Sequence, residues 1–119
     1  MTLFAEQDKF THDVAKLLAQ AWELGFTVTF GEVQRPIEMQ KLYVQSGRSK
    51  TMDSQHIKRL AIDLNLFKEN RVCTRADILP LGLWWEQLDP VNRWGGSWRG
   101  LVDTGKSSFV DAPHFERQG

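Results

Sequence analysis

Residues 60–67 read Leu-Ala-Ile-Asp-Leu-Asn-Leu-Phe, and no other stretch of the chain limits its fold as strongly. In an extended strand successive side chains point to opposite faces. Leu60, Ile62, Leu64 and Leu66 therefore share one apolar face, while Ala61, Asp63 and Asn65 share the other. A strand of this kind packs on a core from one side and carries the Asp63 carboxylate on its polar side.

The flanking pattern supplies partners for that strand. Residues 6–24 carry Phe10, Val14, Leu17, Leu18 and Ala21 at helical spacing, and Gly25 follows as a C-terminal stop. Residues 26–30 (FTVTF) alternate as a strand, and Arg35-Pro36 opens a short second helix that ends near Leu42-Tyr43. Residues 46–55 are small and polar and read as a surface loop. A helix is expected over 75–88 with Thr74 as N-cap and Asp77 three residues on, although Pro80 and Gly82 blur its limits. Trp94-Gly95-Gly96-Ser97-Trp98 reads as a tight turn, and residues 109–116 as a bent terminal strand. The order α-β-α-β-α-β predicts an α+β fold, a small antiparallel sheet with helices packed around it. At 119 residues with no repeat or linker, one domain over 1–119 is expected.

Charge narrows the function. Fifteen Lys and Arg balance fifteen Asp and Glu. Nucleic-acid binding draws most of its affinity from a basic surplus, so no nucleic-acid partner is expected. The same balance gives no support to anionic membrane surfaces. Charged residues through the first thirty positions leave no apolar centre for a signal peptide, and no stretch has the apolar length of a membrane span. The expected setting is synthesis in the cytoplasm without a signal peptide. Cys73 is the only cysteine, so no disulfide forms within the chain and any metal must be held by His and carboxylate. Nothing near Cys73 activates it, and it reads as a passive thiol.

His56, Asp63 and His114 are the residues of the right type. A catalytic zinc takes three protein ligands and keeps one position open, and two imidazoles with one carboxylate make such a set. Asp111 lies three residues before His114 with Pro113 between, so a break in the strand would let Asp111 approach the same centre. A carboxylate there can take a proton from water and deliver it to a leaving amine. Glu116, on the same strand face as His114, is a rival for that base or a partner that fixes the imidazole. His12 falls off the apolar stripe of its helix and reads as solvated. Trp22, Trp84 and Trp85 read as core; Trp94 and Trp98 fit either a binding groove or a core.

The run Ser54-x-His56 and Ala61-x-Asp63, closed by Asp111-x-x-His114-Phe115-Glu116, resembles the M15 peptidases. These include D-Ala-D-Ala carboxypeptidases and dipeptidases and phage endolysins that cut the L-alanyl-D-glutamate bond. Trp94-Gly95-Gly96-Ser97-Trp98 is similar to a Trp-Gly-Gly-x-Trp segment of the endolysin branch, and Gly31 to Tyr43 to its Arg-Thr/Pro-x-x-x-Gln stretch. The resemblance implies a hedgehog/D-Ala-D-Ala peptidase-like fold and Zn2+ on His56, Asp63 and His114. It implies Asp111 as general acid/base and Arg35 facing the substrate, where a guanidinium pairs with a carboxylate or steadies an oxyanion. Asp rather than Glu at the base position points to the L-Ala-D-Glu bond of the peptidoglycan stem peptide. The implied protein is a monomeric phage or prophage endolysin that reaches the cell wall after release. A D-Ala-D-Ala carboxypeptidase or dipeptidase and a non-catalytic zinc-binding module are the alternatives, and a metal-dependent nuclease fits less well. Arg59 departs from the pattern, standing where the family usually has Gly, and residues 99–108 are longer than the compact endolysin segment.

Overall fold

The computed structural model describes residues 2–33, 45, 58–97 and 112–118. They form two helices and five strands: α1 (Leu3–Glu23), β1 (Thr27–Phe30), β2 (Ala61–Lys68), β3 (Arg71–Val72), α2 (Arg75–Leu88), β4 (Asn92–Trp94) and β5 (His114–Arg117). All pairings are antiparallel, in the order β1-β2-β5-β4, with β3 pairing β2. The α+β class and small antiparallel sheet expected from the pattern are therefore present. The short helix expected after Pro36 and the loop at 46–55 lie outside the described residues.

The strand that anchors the pattern is the centre of the sheet. Leu60, Ile62, Leu64 and Leu66 are all buried, and they pack with Phe10, Leu17 and Ala21 of α1 and Ile78, Leu81 and Trp85 of α2. Both helices thus feed the leucine face of β2, and Asp63 projects from the other face. β1 pairs with the second half of β2, from Thr27↔Phe67 to Phe30↔Leu64, and β5 with the first, from Ala61↔Glu116 to Asp63↔His114.

Local signals explain where the elements begin and end. α1 starts earlier than its apolar stripe suggests, because the Thr2 side chain accepts a hydrogen bond from the Ala5 N–H at 3.1 Å. It ends with Phe26 N–H on the Ala21 carbonyl and Gly25 N–H on that of Trp22, around a Gly25 φ of 90°. The Thr74–Asp77 capping box of α2 is formed in both directions. Asp77 also takes a fork from Arg71, and that bond, with the Thr74 contacts, holds its carboxyl well below the usual range. The hairpin from β2 to β3 turns through Glu69 and Asn70, both at positive φ (54° and 63°), as a two-residue primed turn requires.

Two expectations change. Trp22 is 60% exposed rather than core, because the apolar stripe of α1 runs through Phe10, Leu17 and Ala21 on another side of the helix. Asp13 shares that stripe, fully buried, where it pairs with Lys9 at 2.7 Å and accepts from Asn92 Nδ2 at 3.4 Å. Residues 92–94 form β4, so the tight turn begins only after Trp94. Trp84 is half-buried against the core, and His12 is exposed as expected.

Two tryptophans join the layers. Trp85 stands edge-on to Phe10 and Phe115, and its Nε1 donates to the carbonyls of Arg93 (3.2 Å) and Glu116 (3.1 Å). Trp94 is fully buried between Gly82 of α2 and Gly96, so it belongs to the core rather than to a groove. A Cβ at Gly82 would come within 2.0 Å of the indole, and one at Gly96 within 2.3 Å.

Two outcomes follow. Gly82→Ala should lower unfolding stability by about 1–3 kcal/mol, the usual cost of overpacking a filled core, measured by chemical denaturation. Arg59 has a φ of 59°, the left-handed region that favours glycine. Arg59→Gly should therefore raise stability by about 1 kcal/mol, backbone strain relieved outweighing the entropy a glycine adds to the unfolded chain.

Candidate metal and catalytic site

Asp63 and His114 are directly opposed on β2 and β5. On one edge Asp63 meets β5; on its other edge its N–H donates to the Glu32 carbonyl and its own carbonyl accepts from the Gly31 N–H, both at 2.8 Å. Two residues facing one is the arrangement of a β-bulge, a device that re-aims a side chain beside a site. Gly31 is needed there, since a Cβ would lie 2.8 Å from the Asp63 carbonyl oxygen and 3.1 Å from its Cβ. Nothing local in the sequence marks this contact beyond the Phe30-Gly31 junction at the end of β1.

His114 is held from the other direction. The Leu64 N–H donates to the Pro113 carbonyl at 2.9 Å, and Gly95 N–H to that of His114 at 2.8 Å. Trp94 Nε1 donates to the Ala112 carbonyl at 2.7 Å. Arg75 donates to the Gly96 carbonyl at 2.8 Å and lies over the Trp94 ring at 5.5 Å. The Trp-Gly-Gly segment thus braces the backbone that leads into His114, a role that sequence alone left open between groove and core.

The ring of His114 sits between two carboxylates. Nδ1 is 3.1 Å from Asp63 Oδ1, and Nε2 is 2.7 Å from Glu116 Oε1. His114 is 6% exposed and Glu116 5%, whereas Asp63 is only part-buried. Glu116 Oε2 in turn accepts from the Gln118 side chain. Burial opposes a charged imidazole, but the hydrogen bonds and charges of Asp63 and Glu116 outweigh it, and the pKa is pushed up from 6.5 to about 9.

Asp63 and His114 supply two donors of types that zinc accepts, a carboxylate oxygen and an imidazole nitrogen. Among the described residues no group of three or more His, Cys, Asp or Glu could hold a metal by itself. His56, Asp111 and Arg35, the other expected site residues, lie outside the described residues. Arg59 borders a pocket of about 470 Å³ lined from α1 and by Phe30 and Ile62, on the helix side of the sheet. Burial raises the pKa of Cys73, in keeping with a passive thiol.

With a folded pKa above the unfolded one, His114 stabilises the metal-free protein fully below pH 6.5, and this contribution fades as pH rises through about 9. Denaturation of metal-free protein across this range should show that loss, and His114→Gln should flatten it.

No family model matches the chain, and no curated protein matches it. Among the described residues no helix is long and apolar enough to cross a membrane. Among solved structures the chain is similar to the L-Ala D-Glu endopeptidase ChiX of Serratia marcescens. The two share 20% identity and a TM-score of 0.66, over 89% of this chain and 78% of that one. The chain thus shares its mixed α+β fold with that endopeptidase.

Proposed function

We propose that the protein is a zinc peptidase of the peptidoglycan stem peptide, cutting between L-Ala and D-Glu. The observation that carries this reading is the Asp63–His114 pair, 3.1 Å apart with His114 Nε2 engaged by Glu116, on a fold shared with an L-Ala D-Glu endopeptidase. His56 is the proposed third ligand. Zinc held there supplies Lewis-acid polarisation of an amide carbonyl and acidifies water at neutral pH.

The remaining roles belong to the chain. Asp111 is the proposed proton acceptor, returning the proton to the departing amine. It directly precedes Ala112, whose carbonyl is fixed by Trp94 Nε1 at 2.7 Å, so the neighbouring backbone is anchored. Arg35 is proposed to pair with a substrate carboxylate or the developing oxyanion, three residues beyond the Glu32 carbonyl that binds Asp63. The motif order in the sequence supports a phage or prophage endolysin acting as a monomer on the wall after release.

Zinc-loaded protein incubated with purified peptidoglycan should create new N-terminal D-Glu ends, read by mass spectrometry. Asp111→Ala should keep stoichiometric zinc and lose about 10²–10⁴-fold in turnover. Release of D-Ala would move the protein to the carboxypeptidase reading. Bound zinc with no cleavage of any wall type would make it a binding module.

A further inference from the structure

His114 has a second partner whose chemistry constrains the first. Glu116 is two residues further along β5, on the same face, and its Oε1 lies 2.7 Å from His114 Nε2. Both side chains are about 7% exposed. The Glu116 backbone is fixed by Trp85 Nε1 on its carbonyl and by register with Ala61 and Arg93, and its other oxygen takes the Gln118 amide. None of this follows from a need to hold the strand together, since β5 is already paired on both edges.

A neutral imidazole carries one N–H, and an ionised carboxylate only accepts. Each ring nitrogen faces a carboxylate, Nε2 the buried Glu116 at 2.7 Å and Nδ1 the more exposed Asp63 at 3.1 Å. When the ring carries a single proton, the shorter and more buried contact favours holding it on Nε2, which leaves the lone pair on Nδ1. We propose that Glu116 is the positioning residue that fixes His114 as its Nε2–H form and makes Nδ1 the metal donor, with Gln118 orienting Glu116. This rests on the zinc-peptidase reading above. It also decides between the two roles the sequence left open for Glu116, because a carboxylate buried on the far side of the ring from Asp63 is committed to that ring.

The test uses Glu116→Gln, an isosteric change that keeps a neutral acceptor, beside Glu116→Ala and Gln118→Leu, with folding of each checked by circular dichroism and thermal unfolding. Zinc affinity is measured by competition with a chromophoric chelator. Glu116→Ala should weaken zinc binding about 10–100-fold, the range for loss of such a partner. Glu116→Gln should recover most of that loss, and Gln118→Leu should give a smaller weakening. At saturating zinc, Glu116→Gln should keep turnover within about tenfold of the parent. Unchanged zinc affinity in folded Glu116→Ala would overturn the proposal. So would a large turnover loss at saturating zinc with affinity unchanged in Glu116→Gln, which would make Glu116 the base. If the parent protein binds no zinc, the zinc-peptidase reading fails by itself. Nitrogen-15 shifts of His114, in metal-free protein held alkaline enough to deprotonate the ring, then judge Glu116 alone. An Nε2–H form in the parent that is lost in Glu116→Ala supports the positioning role, and no change refutes it.

Discussion

The site depends on the register between β2 and β5. Asp63 faces His114 because Ile62 faces Phe115 and Ala61 faces Glu116. Strand side chains alternate with a period of two, so a slip of one residue would turn His114 into the core and Phe115 out of it. Phe115 is fully buried and edge-on to Trp85. Burial of that ring therefore sets the face on which His114 emerges, and the hydrophobic core and the candidate metal site are consequences of one alignment.

Polar contacts hold the same alignment from the far end of β5. Arg117 is buried with its guanidinium on Glu6 of α1 and on Asp89 just beyond α2, the latter at 2.9 Å. Truncating one partner of a buried ion pair costs more than the pair itself contributes, so such a knot resists displacement of the strand. On the near end, Trp94 fixes the Ala112 carbonyl, and Gly82 and Gly96 give its indole room. The bulge at Gly31 and Glu32 meanwhile fixes the Asp63 backbone from the opposite edge.

Much of this was legible in the sequence where the signal is local. The alternation over 60–67 located β2 and the face of Asp63, and Thr74 with Asp77 located the start of α2. Contacts that form only between distant segments were not legible. Asp13 lies on an apolar stripe with partners at Lys9 and Asn92, one of them 79 residues away. Trp22 looked like core by residue type, yet helical phase turns it outward. β3 and β4 span two and three residues, too short for periodicity to mark. Within the candidate site, a neighbouring strand was expected to bring His114 alongside Asp63, and β5 does so. The Gly31–Asp63 contact and the anchoring of Ala112 by Trp94 needed the tertiary arrangement.

Arg59 shows how a departure from a motif is absorbed. A glycine is favoured where φ is 59°, and an arginine there imposes backbone strain two residues before β2 begins. The strand nevertheless keeps its register with both neighbours. The most direct test of the central claim is crystallography of zinc-soaked protein with anomalous data at the zinc edge. A single strong peak bridging Asp63 and His114 Nδ1, at about 2.0–2.2 Å from each, is the expected result. A peak on His114 Nε2, a peak elsewhere, or none at full soaking would contradict it.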